Sequence, residues 1–155
     1  ETLSSVAEAQ LLLSLLSKDR PRWVSFTLDD RSDPNAPTLR SSETIEQAMT
    51  VVTGAKVDAV LFNCSQPEIM LGALKTAKSL ISTHPIQLGV YANAFPPQNG
   101  EEAANEHLHD IRSDLTPTRY AEFAQQWVMA GASIIGGCCG IGPEHIKAIS
   151  TQFSS

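Results

Sequence analysis

The sequence predicts an α/β protein whose parallel strands are joined by crossover helices. Three observations carry this. Short runs rich in β-branched and aromatic residues alternate with stretches that repeat apolar residues at helical spacing, and such alternation implies parallel strands. One run, Val57-Asp58-Ala59-Val60-Leu61-Phe62, is almost continuously apolar, as a strand covered on both faces must be. The composition, 42% apolar and 18% charged over 155 residues, suits one globular domain.

The elements follow in order. Ser5-x-x-Glu8 is a capping-box pattern, and Val6, Ala9, Leu13 and Leu16 keep helical spacing. Pro21 breaks that stripe. Trp23-Val24-Ser25-Phe26-Thr27 has strand composition. A loop rich in Asp, Pro and Ser spans 28–42, and its Asp29-Asp30 pair reads as a solvated acidic turn. Ile45, Ala48, Met49 and Val52 form a second stripe, closed by Gly54 near its C-cap. After the 57–62 strand, Pro67 starts a helix with Ile69, Met70, Ala73, Leu74, Ala77 and Leu80 on one side, ended by Pro85. Residues 86–91 read as the third strand.

Residues 92–116 form a polar stretch too long for an ordinary structureless connection, the kind that is functional or mobile. Thr116-Pro117 opens the next helix, with Tyr120, Phe123, Ala124, Trp127 and Val128 in register; Phe123 and Trp127 read as helix core. Ala132-Ser133-Ile134-Ile135-Gly136 is the fourth strand, and Pro143 starts a last helix through Ile146 and Ile149. Two architectures fit: an open doubly wound sheet, or part of a (β/α)8 barrel, which when complete needs about 250 residues. No G-x-G-x-x-G follows the first strand, which weighs against a dinucleotide-binding fold.

Charge excludes several function classes. The 17 acidic residues outnumber 11 basic ones, for a formal net charge of −6. A nucleic-acid binder needs clustered cations, and an anionic membrane surface needs a polybasic segment. No apolar run approaches the roughly 20 residues that span a bilayer. The short apolar stretch at 11–16, interrupted by Ser14, does not read as a signal peptide. A cytoplasmic location is therefore expected, with the three Cys as reduced thiols.

Those thiols are the chemical feature of the sequence. Cys64, Cys138 and Cys139 all lie just past the C-terminal ends of expected strands, the edge where parallel α/β folds place their sites. Three protein ligands and one open position is the catalytic zinc pattern. Among the four His, His84, His107 and His109 sit in loop-like sequence and His145 in the last helix. Neighbouring residues in a straight strand face opposite ways, so Cys138 and Cys139 reach one ion only if the chain turns sharply. Gly136-Gly137 before them and Gly140 after them allow that. A vicinal disulfide between the adjacent pair, or burial of each Cys as a small apolar residue, are the alternatives.

Three motifs then point to a family. Asn63-Cys64, Tyr91-Ala92-Asn93, and Gly136-Gly137-Cys138-Cys139-Gly140-Ile141-Gly142-Pro143-Glu144-His145-Ile146 resemble the homocysteine S-methyltransferase family in order and spacing. Glu1-Thr2 looks like that family's Glu-Thr at the end of the fourth barrel strand. The resemblance implies the second half of a (β/α)8 barrel, strands five to eight, as a single homocysteine-binding fragment over residues 1–155. It implies zinc (Zn2+) on Cys64, Cys138 and Cys139, with Glu1 helping to hold the homocysteine amino group. Asn63 and Asn93 would orient substrate or loops, or cap strand ends. It implies methyl transfer from S-methylmethionine or S-adenosylmethionine to the homocysteine thiol, giving methionine; betaine or a methylfolate is the alternative donor.

Two departures from the family pattern concern local backbone. Leu61 stands where the family commonly has Gly, and Ala92 where it commonly has Pro. Four strands of an opened barrel also leave edges and an apolar interior exposed. The expected partners are thus the N-terminal half of the barrel or a second copy, besides homocysteine and a methyl donor. A reading of another class stays open: a catalytically incomplete zinc-binding half-barrel serving as an assembly module. So does a doubly wound domain with core cysteines and no metal.

Overall fold

The protein is described from a computed structural model, which covers residues 1–81, 83–97 and 111–154. The order is α1 (Val6–Leu15), β1 (Trp23–Phe26), α2 (Ile45–Ala55), β2 (Ala59–Asn63), α3 (Pro67–Leu80), β3 (Gln87–Tyr91), α4 (Pro117–Met129), β4 (Ile134–Ile135) and α5 (Pro143–Phe153). The strands form one parallel sheet in the order β1-β2-β3-β4. Each strand pairs with the next in sequence, with no switch in direction along the sheet. This is barrel order rather than doubly wound order.

The helix starts follow the sequence signals. At α1, Ser5 Oγ accepts from the Glu8 amide at 3.2 Å and Glu8 Oε2 accepts from the Ser5 amide at 3.0 Å. Thr44 and Gln47 make the same reciprocal box at α2. Pro67, Pro117 and Pro143 each occupy a first-turn position, where a missing N–H costs nothing. The helix ends differ more. α1 stops at Leu15 and Leu16 is half exposed, not part of the core stripe. α2 runs past Gly54 to Ala55 and ends at Lys56 in the left-handed region, φ 55°. The reason lies outside the helix: Arg22 Nη2 donates to the carbonyls of Ala55 and Lys56. A cation placed on the last carbonyls lets the helix continue one residue beyond the glycine.

Strand β4 is shorter than expected. Ile134 and Ile135 pair with Gly89 and Val90, and single bonds continue the line: the Ser133 amide to Leu88 O, Gly136 to Val90 O, Cys138 to Ala92 O. Among the described residues β4 pairs with one strand, β3. At the other edge, Leu3 forms a parallel bridge with Phe26. Residues 2–4 thus run beside β1 as the stub of a further parallel strand.

Register divides the side chains between two faces. Val24, Phe26, Val60, Phe62, Leu88 and Val90 face the helices, all buried within one cluster with Met49, Met70, Leu74 and Trp127. Trp23, Ser25, Leu61, Asn63, Gly89, Tyr91 and Ile134 alternate with them and so face the other way. Gly89 explains Leu61: a Cβ on Gly89 would come within 2.7 Å of Leu61 Cδ2 and 2.9 Å of Ile134 Cβ. The larger side chain on β2 uses the space vacated on β3. The tip of the long 92–116 connection, with His107 and His109, lies outside the described residues.

Candidate metal centre

The three cysteines meet. Their Sγ atoms stand 3.0 Å (Cys64 to Cys138), 3.7 Å (Cys138 to Cys139) and 3.8 Å (Cys64 to Cys139) apart. A tetrahedral zinc with bonds of about 2.3 Å has ligand–ligand edges of about 3.8 Å, so two of the three edges already match. All three thiols are free, so the adjacent pair is not bridged. Cys139 is exposed, and Cys64 and Cys138 are half buried. Among the described residues no further His, Cys, Asp or Glu joins the group. The donor set is therefore three soft sulfurs with one side open to solvent. That set fits a zinc-type ion with a free coordination position.

Backbone turns bring these sulfurs together. Cys64 sits at the end of β2 with φ 53°, uncommon for a side-chain-bearing residue. Its amide donates to Tyr91 O at 3.2 Å, which holds that conformation. After β4 the chain turns at once: the Ile141 amide returns to Cys138 O at 3.1 Å, and Gly140 takes φ 79° within the turn. The Cys138 amide bonds Ala92 O and Cys139 O accepts from the Ala94 amide. Both cysteines of the pair are thus tied to the segment after β3. Tyr120, deep in α4, donates its hydroxyl toward Gly136 O at 2.9 Å and Ala92 O at 3.3 Å. Burial pushes that phenol well above its usual range, so it stays a donor.

Closeness of the sulfurs governs their protonation. The Cys64 hydrogen bond lowers Cys138 to about 6, against the effect of burial. Cys64 is pushed far up, first by that same contact with Cys138 and then by burial. The trio therefore shares its protons as a unit, with thiolate character on Cys138. A cation held by these three thiols would take the place of the shared proton, as metal binding to thiols requires.

An open pocket of about 350 Å³ lies on the inner face of the sheet beside the trio. Its lining includes Glu1, Trp23, Ser25, Tyr91, Gly136 and Gly137. Of the other expected residues, Glu1 lines this pocket, whereas Asn63 and Asn93 are not among its lining residues. Glu1 is exposed on its wall. Asn63 is fully buried; its Nδ2 donates to Thr2 Oγ1 at 2.8 Å, while Oδ1 has no partner among the described residues. An unmet buried acceptor costs about 1–3 kcal/mol. Asn93 is buried in a loop network instead: its Oδ1 accepts from Gln66 Nε2 and the Phe95 amide, both at 3.4 Å. Asp30, read as part of a solvated turn, is half buried and accepts from the Gln66 amide at 2.7 Å at the start of α3. A carboxylate at a helix N-terminus favours that placement.

Sequence reasoning missed Ser25, and it gave Thr2 and Tyr91 only as motif residues without a role in the site. Ser25 Oγ accepts from the Thr2 amide at 3.1 Å and from the Tyr91 hydroxyl at 2.6 Å. A signal was present, since Ser25 is the one polar residue in the Trp23–Phe26 strand. Thr2 itself has φ 60°. A β-branched residue held there costs about 1–3 kcal/mol, and such strain collects at functional sites.

Comparison with known proteins agrees with this geometry. The family profile described as Homocysteine S-methyltransferase matches residues 1–153. The chain belongs to the homocysteine S-methyltransferase family. Homocysteine S-methyltransferase 4 of Zea mays is 31% identical over 156 residues, covering 97% of this chain and 42% of the relative. The selenocysteine methyltransferase of Astragalus bisulcatus is 27% identical over 159 residues, covering 100% of this chain and 44% of the relative. Among solved structures, the metallated form of the Escherichia coli homocysteine methyltransferase MmuM superimposes with a TM-score of 0.70 at 25% identity, over 97% of this chain and 42% of MmuM. The chain spans less than half the length of these relatives. The fold is accordingly half of a (β/α)8 barrel, and the family includes a metal-loaded member.

Proposed function

We propose that this chain supplies the metal-binding and homocysteine-binding half of a zinc-dependent methyltransferase that converts homocysteine to methionine. The observation that carries the reading is the convergence of Cys64, Cys138 and Cys139 at the C-terminal edge of a parallel sheet, with one side open and Glu1 on the adjoining pocket wall. The three thiols would hold zinc. The ion, when bound, supplies a weak Lewis acid that lowers the pKa of an incoming thiol while its sulfur stays electron-rich.

The chain's own groups do the rest. The exposed carboxylate of Glu1 pairs with the homocysteine ammonium. The buried Asn63 Oδ1 accepts a hydrogen bond that the described residues leave unmade. Trp23 and Tyr91 line the pocket. The substrate thiol loses its proton to solvent, and its sulfur forms a bond to the methyl carbon as the donor's sulfonium C–S bond breaks. The donor leaves as a neutral thioether. S-methylmethionine or S-adenosylmethionine suits this balance, because a cationic donor becomes neutral in the step.

The partner half of the barrel belongs to the same reading. Residues 2–4 form the stub of a strand beside β1, and β4 pairs only with β3 among the described residues. These are the places where a closing barrel continues. No described helix is long and apolar enough to cross a membrane. A soluble, cytoplasmic protein acting on small amino-acid substrates is consistent with that and with the net charge of −6.

The test is methyl transfer by the protein at full length, with homocysteine and each sulfonium donor, followed as methionine formed. The account predicts turnover that disappears in Cys64→Ser, Cys138→Ser and Cys139→Ser alike. Turnover retained in any of these variants would contradict the assigned role of that thiol, and metal binding without turnover of any donor would favour the assembly-module reading instead.

A further inference from the structure

We propose that Ser25 and Asn63 are positioning residues: acting through Thr2, they fix the Glu1 carboxylate on the pocket wall and so set the site's preference for a thiol that carries an α-amino group. The inference rests on the methyltransferase reading for the identity of its substrate, and on the following geometry for the rest.

Glu1 is exposed and precedes a residue in an unfavoured backbone region, Thr2 at φ 60°. Left alone, an extended residue there would turn Glu1 elsewhere. Two side chains from different strands prevent it. The Ser25 hydroxyl of β1 receives the Thr2 amide at 3.1 Å, and the Asn63 amide of β2 donates to Thr2 Oγ1 at 2.8 Å. Both Thr2 groups are therefore held, one main-chain and one side-chain, which defines its orientation as a single contact could not. A third strand locks the clamp: the Tyr91 hydroxyl of β3 donates to Ser25 Oγ at 2.6 Å.

Ser25, Asn63 and Tyr91 are all on the inner face by register. Asn63 is followed directly by Cys64, and Tyr91 O accepts from the Cys64 amide. The clamp on Thr2 and the turn that presents Cys64 are thus built from the same two strand ends. These contacts hold Thr2, and with it the backbone from which Glu1 projects, at a set distance from the turn that carries Cys64. A rigid spacing of this kind favours a ligand of matching length between thiol and ammonium over one that lacks the ammonium.

The experiment measures binding, so that it does not depend on turnover. The metal-loaded protein at full length is titrated with homocysteine and with 4-mercaptobutanoate, its analogue without the amino group. The wild type is expected to prefer homocysteine. Ser25→Ala should weaken homocysteine binding by about tenfold, leave the analogue unchanged, and leave metal content unchanged. Ser25→Thr, which keeps a hydroxyl, should restore most of the preference. If Ser25→Ala does not fold, Tyr91→Phe removes only the hydroxyl donor and should shift the preference the same way by about threefold. Equal weakening of both thiols, no change in either, or a wild type that binds both alike overturns the inference. A wild type that prefers homocysteine but transfers no methyl group to it from any donor overturns the methyltransferase reading and leaves this inference standing.

Discussion

The two faces of the four-stranded sheet come from the same residues in alternation, yet they are built for different purposes. On the helix side, Val24, Phe26, Val60, Phe62, Leu88 and Val90 are all no more than 4% exposed and purely apolar. On the inner side, one residue away along each strand, stand Trp23 at 55% exposure, a serine, an asparagine and a tyrosine joined by hydrogen bonds. The first face holds the fold by removing apolar surface from water. The second is mixed, partly open and strained at Thr2 and Cys64. A sheet can carry such a face because the other supplies its stability; sites accumulate local costs that packing elsewhere offsets.

Neighbouring positions on β1 give the sharpest break of this contrast. Phe26→Ala should cost about 3–5 kcal/mol, since a fully buried ring leaves a cavity in the core. Trp23→Ala, three residues away on the other face, should cost about 1 kcal/mol or less in this chain despite its larger ring. Urea denaturation of both variants measures the difference. Comparable losses would mean that the inner face is a packed core and not an open site.

Tyr120→Phe sharpens the comparison, because its hydroxyl links the packed side to the site. Loss of the bonds to Gly136 O and Ala92 O should cost about 1 kcal/mol. It should also make the metal easier for a chelator to remove, since Gly136 leads into the cysteine turn. Stability lost with unchanged metal retention would confine Tyr120 to the core.

Most of the fold was legible because it rests on local signals: caps at Ser5 and Thr44, first-turn prolines, and apolar periodicity that named Met49, Leu74 and Trp127 as core. The end of α2 was not legible, because Arg22, more than 30 residues away, decides it. At the site, the cysteines could be read from their position after strands. The clamp could not: Thr2, Ser25, Asn63 and Tyr91 are separated by 23 to 66 residues in the contacts that join them. Asn93 looked like its motif partner Asn63, yet loop hydrogen bonds occupy it.

The smallest expected effect is a pH dependence on the packed side. Glu43 accepts from the Ser41 hydroxyl at 2.6 Å and from the Val6 amide at 2.8 Å, at the start of α1. Those two bonds, the Ser41 one first, lower its pKa below the usual carboxylate value. A group depressed in the folded state contributes fully above its unfolded pKa of about 4.3 and loses that contribution as pH falls through the folded value. Glu43→Gln should therefore be slightly less stable than the wild type at neutral pH, with the gap closing in acid. A gap that is constant with pH would assign the effect to packing.

The measurement closest to the central claim is metal content by elemental analysis after purification under reducing conditions, with a thiol count on the same sample. The account predicts about one zinc per chain with the three thiols protected, and loss of the metal in Cys64→Ser. A chain at full length that retains no zinc and shows three freely reactive thiols would contradict it.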